Sequence, residues 1–286
     1  MQLLNGKHTA ATIRAELQTE IEALRATYGR TPGLAVILVG EDGPSQVYVR
    51  NKERACAEAG IASQTFRLPV ETTQSELEEH ILELNAREDI DGILLQLPLP
   101  SGLDSQRCLE LIAPSKDVDG FHPMNMGRLL LNLPGPTPCT PAGIVTLLEH
   151  YDITPAGQHC VVIGRSNIVG KPLAQLLIAR HGTVTVCHSR TRDLPSITRQ
   201  GDIVVVAIGK TGFLTPDMVR EGAVVVDVGI NRTADGLKGD AVFDELQDKV
   251  AAITPVPGGV GPMTIAQLLL NTRDAYTNRM QGQTTG

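Results

Sequence analysis

Tryptophan is absent from the 286 residues, and aromatic side chains make up only 3% of them. The core must therefore be aliphatic, and a tyrosine at a polar edge is a candidate for something other than packing. Neither Cys-x-x-Cys nor His-Glu-x-x-His occurs and the seven histidines are scattered, so no metal site is expected. The five cysteines (Cys56, Cys108, Cys139, Cys160, Cys187) are odd in number, widely spaced and set mostly in apolar segments. They read as reduced core thiols and not as a disulfide framework. An excess of positive charge is also missing: the net charge of −7 argues against a nucleic-acid surface, which needs a clustered basic face. No apolar run approaches the roughly twenty residues needed to cross a membrane. The opening Met1-Gln2-Leu3-Leu4-Asn5-Gly6-Lys7 lacks the cationic start and long apolar stretch of a leader. The expectation is a soluble cytoplasmic protein with neither nucleic-acid nor membrane partners.

With 42% hydrophobic and 20% charged residues, the composition is that of an ordinary globular protein, and the length suffices for two domains with a core each. The chain alternates helical and strand patterns. Ile13, Leu17, Ile21 and Leu24 recur at helical spacing, predicting a helix from His8 to Tyr28 closed by Gly29. Strands are expected at 34–39, 65–68 and 93–97. A helix with Ser45 as its N-cap follows the first, and one opened by a capping box at Ser75-Glu76-Leu77-Glu78 precedes the third. Tyr48 and Lys52, four apart, share a helix face, and Gln96 ends the third strand before Pro98 and Pro100. A helix is expected from about Ser105 to Ile112, and Lys116 to Phe121 is too polar and turn-rich for an element. The rigid Pro134-Gly135-Pro136-Thr137-Pro138-Cys139-Thr140-Pro141 reads as an interdomain spacer.

In the second half, Cys160 to Ile163 is an aliphatic run that breaks at Gly164 and restarts as a helix over about 172–180. Here Gly164 permits a sharp turn, Gly170 permits close helix approach, and the helix amides can face an anion. The pattern is G-x-S-x-x-x-G, a variant of the dinucleotide fingerprint and weak evidence alone. A second β-branched run, Thr183 to Cys187, is followed where a carboxylate would read an unphosphorylated ribose by His188-Ser189-Arg190-Thr191-Arg192. Hydroxyls and guanidiniums suit a phosphate dianion, which predicts NADP over NAD; Arg190 and Arg192 fit a solvated turn equally well. Strands at 202–208 and 223–228, with a helix opened by Pro216 between them, end in Gly209 and Gly229. These glycines and Ile230 are candidates to line a nicotinamide, although turn chemistry alone explains either glycine. Asp235-Gly236 marks a tight turn, 251–254 a last strand, and Thr264 to about Arg279 a last helix, with 280–286 frayed. The fold class is α/β: two open, mostly parallel sheets with function at the carboxyl ends of their strands.

Several separated segments together resemble the bifunctional methylenetetrahydrofolate dehydrogenase/methenyltetrahydrofolate cyclohydrolase family of the FolD type. They are Ser45-Gln46-Val47-Tyr48-Val49-Arg50-Asn51-Lys52, Gln96-Leu97-Pro98-Leu99-Pro100, Lys116 through Phe121, Gly164 through Pro172, and Pro255-Val256-Pro257-Gly258-Gly259-Val260-Gly261-Pro262-Met263-Thr264. The resemblance covers nearly the whole chain without departure at these positions. It implies residues 1–138 as a folate-binding catalytic domain, 139–263 as a Rossmann-type NADP domain, and the final helix, 264–280, packing back on the first. It also implies a homodimer, for which an apolar strand edge in the second domain can serve, and no fused formyltetrahydrofolate synthetase domain.

The implied activity is oxidation of methylenetetrahydrofolate by NADP, then hydrolysis of the methenyl cation to formyltetrahydrofolate at the same site. Tyr48 offers a stacking face for the flat pterin, and Asp119 can accept from its amide and amino groups. Hydrolysis needs a group that takes and gives protons. Lys52, with its amine partly desolvated beside a substrate cation, is the candidate, and Gln96 can orient it or the water. The expected catalytic set is thus Lys52, Gln96, Tyr48 and Asp119. Tyr48, Gln96, Asp119, Pro257, Gly258 and Gly259 are assigned to substrate, and Gly164, Arg165, Ser166, Ser189 and Ile230 to cofactor. Two other readings compete. One is an NADP dehydrogenase of a small hydroxy acid, similar to shikimate-type enzymes, which would want basic residues where this chain has Asp117 and Asp119. The other is an NADP-binding protein without turnover.

Overall fold

The structure, a computed structural model, describes residues 1–284. It divides into two compact units, Thr12–Cys139 with Ile265–Gly286, and Met1–Ala11 with Thr140–Thr264.

In chain order, β1 (Gln2–Leu3) leads into α1 (Gly6–Tyr28), followed by β2 (Gly33–Val39) and α2 (Gly43–Ala59). Next come β3 (Ala62–Leu68), α3 (Gln74–Ala86), β4 (Gly92–Leu95), α4 (Ser105–Leu111) and α5 (Pro123–Leu130). Then α6 (Cys139–His150), β5 (His159–Ile163), α7 (Gly170–Ala179), β6 (Thr183–Cys187), α8 (Leu194–Thr198) and β7 (Ile203–Val206) follow. The chain closes with β8 (Val224–Asp227), the hairpin β9 (Asn231–Thr233) and β10 (Gly236–Lys238), α9 (Phe243–Leu246), β11 (Ala252–Ile253) and α10 (Val260–Thr284). The divisions between units fall inside α1 and α10.

The first unit holds a three-stranded parallel sheet in the order β3-β2-β4. All seven residues of β2 are buried, as expected of a central parallel strand covered on both faces. Since β3 and β4 lie on opposite sides of β2, the chain reverses its winding between β2 and β4, and a crevice opens there at the carboxyl ends. Two aliphatic clusters cover the sheet. One packs Leu34, Val36 and Leu38 against Leu17 and Ile21 of α1 and Leu268 and Leu269 of α10. The other packs Ala35, Ile37 and Val39 against Leu77, Ile81 and Leu84 of α3. The C-terminal part of α10 thus joins this unit, where Arg279 and Arg30 both pair with the buried Asp91.

The second unit is a six-stranded sheet, β1-β11-β8-β7-β5-β6, parallel throughout. Its reversal lies between β5 and β7. The expected α/β class with two open parallel sheets is present. The first eleven residues, expected in the N-terminal domain, instead cluster with Thr140–Thr264, because Gln2 and Leu3 add β1 to the sheet edge beside β11.

Local expectations shift in several places. The N-cap of α2 is Asp42, whose carboxylate accepts from the Ser45 amide at 2.9 Å, so Ser45 is a buried first-turn residue. The capping box of α3 is formed by Thr73 and Glu76, not by Ser75. Between β7 and β8 the Pro216 helix shrinks to one turn, Pro216–Met218. Helix α10 starts four residues early and continues to Thr284, through most of the stretch expected to fray, while the last two residues of that stretch lie outside the described residues. Three short helices, α5, α8 and α9, went unforeseen. At eight, five and four residues they are too short to show a periodic pattern.

Candidate active site and nucleotide cradle

Helix α2 leaves the β2 end of the first crevice and brings Tyr48 and Lys52 along one face. The Lys52 ammonium donates to Gln96 Oε1 at 3.0 Å. Gln96 follows β4 directly; its backbone amide donates to the Ile37 carbonyl and its side-chain amide to the Leu97 carbonyl, at 2.9 and 2.7 Å. At 9% exposure the Gln96 side chain is fixed from both ends, which points its oxygen at the lysine. The peptide between Leu97 and Pro98 is cis. Tyr48, one turn before Lys52, is 38% exposed, leaving a ring face open to a ligand.

Asp119 completes the group. Its loop is drawn to the sheet by Ile93, whose amide donates to the Lys116 carbonyl at 2.7 Å, extending the ladder beyond β4. Lys116 itself turns away and caps α3, donating to the Leu84, Asn85 and Arg87 carbonyls. Burial pushes the Asp119 carboxyl above its ordinary pKa, the nearby Lys52 charge pulls it down, and Asp117 pushes it up. Cys139, in contact with Asp119, is pushed well above the usual thiol range by burial and by that carboxyl. It is a buried donor to the Val118 carbonyl, which suits a packing role and no nucleophilic one.

Asp117, grouped with Asp119 on sequence, has a different task. Its two oxygens accept from the Gly120, Phe121 and His122 amides and from the Asn125 side chain. It is spent inside the loop, and Asn125 on α5 was not legible as its partner. Asn271 of α10 holds the same loop from another side, donating to the Val118 and Thr137 carbonyls at 2.8 and 2.9 Å.

In the six-stranded unit the candidates for cofactor gather at the carboxyl ends of the strands. Gly164 has φ of +130°, and a Cβ there would collide with the Ala207 carbonyl; a Cβ on Gly170 would collide with the Gly164 carbonyl. Only glycine permits this close turn. Ser166 Oγ accepts from the Val169 and Gly170 amides at 3.1 and 3.3 Å, shaping the entry to α7. The register Ile163↔Cys187 sets the Gly164 turn beside the His188–Arg192 turn, where Ser189 is exposed. Among the described residues, the exposed Arg165, Arg190 and Arg192 make no ion pair. A glycine cradle flanked by three uncommitted guanidiniums fits a phosphorylated dinucleotide. Ile230 stands exposed past β8 with its end near Gly261. Pro257, Gly258 and Gly259 form the loop after β11, pinned by the Lys7 amide donating to the Gly258 carbonyl at 2.8 Å. Thus Lys52, Gln96, Tyr48 and Asp119 belong to the first unit, and Gly164, Arg165, Ser166, Ser189, Ile230, Pro257, Gly258 and Gly259 to the second.

Residues 4–119 match the tetrahydrofolate dehydrogenase/cyclohydrolase catalytic domain, and residues 138–280 match the NAD(P)-binding domain of the same family. The chain belongs to the tetrahydrofolate dehydrogenase/cyclohydrolase family. Within it, the chain is similar to the bifunctional protein FolD of Oleidesulfovibrio alaskensis, with 65% identity over 98% of this chain and 99% of the relative. It is similar in structure to the bifunctional FolD methylenetetrahydrofolate dehydrogenase/cyclohydrolase of Campylobacter jejuni: TM-score 0.96 and 49% identity, over 98% of this chain and 99% of that one. A Trypanosoma brucei N5,N10-methylenetetrahydrofolate dehydrogenase-cyclohydrolase, solved with NADP cofactor and inhibitor, has TM-score 0.94 and 39% identity over 97% and 98%. Membership in the dehydrogenase/cyclohydrolase family removes the hydroxy-acid reading.

Two functional candidates escaped the sequence reading. Asp227 and Asp240 are buried at the carboxyl edge of the six-stranded sheet. Asp227 accepts from the Gly229, Asp240 and Ala241 amides, and burial pushes its carboxyl up to about 6. The signal available was one acid at the end of the apolar run Val224-Val225-Val226-Asp227. A Cβ on Gly229 would fall on the Asp240 carboxylate, so this glycine is required by packing, whatever lies beyond it.

Proposed function

We propose that this protein oxidises methylenetetrahydrofolate with NADP and hydrolyses the methenyltetrahydrofolate produced to formyltetrahydrofolate, with Lys52 as the proton-transfer group. The observation that carries the reading is the Lys52–Gln96 hydrogen bond beside Asp119: an amine held by a neutral amide, facing a carboxylate. The pterin stacks on Tyr48 and donates to Asp119, while NADP, when bound, supplies the hydride acceptor. The oxidation needs alignment and no proton relay. In the hydrolysis, water adds to the cationic carbon and loses a proton, and the ring nitrogen must gain one before the carbon–nitrogen bond opens. Lys52 serves both transfers, and Gln96 keeps its amine on the reacting carbon. Formation of NADPH from methylenetetrahydrofolate by the purified protein tests the reading, and absence of turnover despite NADP binding would return it to a binding protein.

The cofactor choice rests on Arg190 and Arg192, with Arg165 and Ser189 beside them. Replacing Arg190 and Arg192 together with alanine raises the KM for NADP by about thirtyfold, as expected for lost charge-assisted bonds to a phosphate, and leaves the KM for NAD near its starting value. Initial rates with both cofactors check this; an equal rise for both would assign the arginines to the shared pyrophosphate.

The protein works as a homodimer paired along β6, and its buried, unpaired cysteines suit the cytoplasm. Among the described residues no helix is long and apolar enough to cross a membrane. The support for pairing is that β6 is an outer strand of the sheet with Val186 at 37% exposure, an open edge that natural proteins rarely leave uncovered. Sedimentation gives twice the chain mass, and Val186→Lys shifts it toward one copy; a wild type of single-chain mass contradicts the assembly.

A further inference from the structure

The six-stranded sheet reverses its winding between β5 and β7, so the loops after these strands wall the crevice in which a dinucleotide binds. One wall is the Gly164 turn. The other is Ala207 to Lys210, and the two are in contact: the Ala207 amide donates to the Ile163 carbonyl at 2.8 Å, and the Ala207 carbonyl sits where a Gly164 side chain would begin. In the second wall the Ile208 side chain packs against the core of the unit. The other three amides of this wall, those of Ile208, Gly209 and Lys210, point at the carboxylate of Asp240.

That carboxylate is fully buried. Its Oδ2 accepts from Ile208 N and Gly209 N at 2.7 and 2.9 Å, and its Oδ1 from Lys210 N and the Asn231 side chain at 2.8 and 2.9 Å. Four donors on one carboxylate tie the loop after β7 to the segment after β8, which carries Ile230. Asp240 is itself seated by Asp227, which accepts from its amide at 2.9 Å, and by Leu214, whose amide donates to its carbonyl at 2.9 Å. No nearby cation is needed, because four charge-assisted hydrogen bonds satisfy the charge.

We infer that Asp240 is a positioning residue for hydride transfer: it sets the spacing of the loops after β7 and β8 that hold the nicotinamide end of the cofactor. The inference rests on the dehydrogenase reading above, and it concerns one of the two activities only. Hydrolysis uses Lys52, Gln96 and Asp119 and no redox cofactor. A disturbed wall therefore lowers hydride transfer and spares hydrolysis, and it leaves the phosphate cradle at Gly164 and Gly170 in place.

The test is Asp240→Asn, which keeps the volume but turns an amide NH2 toward at least one of the four donors. The readouts are kcat and KM for NADP reduction, the rate of hydrolysis of supplied methenyltetrahydrofolate, and NADP binding. A displacement of about 1 Å at a reacting group costs on the order of a hundredfold. The expected result is a fall of about that size in kcat for NADP reduction, with NADP affinity within about threefold and hydrolysis within about twofold of wild type on the same reasoning. Asn231→Ala removes one donor without stranding a charge; it shows the same split at about fivefold and carries the test alone if Asp240→Asn fails to fold. Equal losses in both activities, or unchanged hydride transfer in a folded Asp240→Asn, overturn the inference. A wild type that hydrolyses methenyltetrahydrofolate but reduces no NADP overturns the dehydrogenase reading itself, a distinct outcome.

Discussion

Lys52→Met hydrolyses methenyltetrahydrofolate about a thousandfold more slowly than the wild type, the scale expected when a positioned acid–base group is removed. Methionine keeps most of the stem that lysine lays along α2, so the helix and its packing survive. Gln96 keeps its orientation through its own bonds to Leu97 and Ile37, so the loss is that of the amine and not of the crevice. Hydride transfer falls far less, by about tenfold at most, because it depends on alignment. The variant has a second signature in its pH profile. Burial raises the Asp119 pKa and the Lys52 charge opposes the rise. With that charge gone the Asp119 carboxyl is pushed higher still, so a larger share of it is protonated at any given pH and unable to accept from the pterin. The acid limb of kcat/KM for NADP reduction therefore moves to higher pH in Lys52→Met. Hydrolysis at the wild-type rate would dismiss Lys52 as the proton-transfer group, and an acid limb that stayed in place would separate it from Asp119.

Asp119→Ala loses both activities together. The same pterin is bound in both steps, and hydrogen bonds to a charged acceptor contribute about 1.5–3 kcal/mol, which sets the loss in kcat/KM at about a hundredfold for each. NADP binding stays at its wild-type value, since the cradle at Gly164 belongs to the other unit. The loop keeps its shape, because Asp117, Asn125 and Asn271 hold its backbone independently of the Asp119 side chain. Folate titration of the variant, alongside NADP titration, distinguishes this from general damage: weakened binding of both ligands would point to misfolding. Loss of hydrolysis alone would instead make Asp119 a partner of Lys52 and not a pterin ligand.

The fold was legible because strands such as β2, β4 and β7 are buried on both faces. Ile93-Leu94-Leu95, Val204-Val205-Val206 and Val224-Val225-Val226 are uninterrupted aliphatic runs, as a covered parallel sheet accommodates. Helix starts were less legible: Ser45 and Ser75 are good capping residues by type, but Asp42 and Thr73 precede them and take the amides first. The N-terminal strand was hidden for another reason. Two residues pairing with a strand some 250 positions later leave no local pattern, and only the sheet edge beside β11 gives Gln2 and Leu3 an extended conformation.

The candidate site divides along the same line. Tyr48 and Lys52 were placed on one helix face by spacing alone, and Gln96 at a strand end by the prolines after it. Asp240 and the loop-holding role of Asp117 were not readable, since both act by collecting backbone amides from segments that approach only in three dimensions. A carboxylate that stabilises a loop and one that binds a ligand are the same letter in the sequence; what separates Asp117 from Asp119 is the count of amides already donating to it.

The most direct test of a two-step conversion is a single time course with purified protein, methylenetetrahydrofolate and NADP, following NADPH and methenyltetrahydrofolate together. NADPH forms, and the methenyl compound decays faster than it does in buffer alone, at a rate that scales with enzyme and collapses in Lys52→Met. NADPH formation with methenyltetrahydrofolate accumulating and decaying only at the buffer rate would contradict the account, leaving a dehydrogenase in which Lys52 merely helps to hold the substrate.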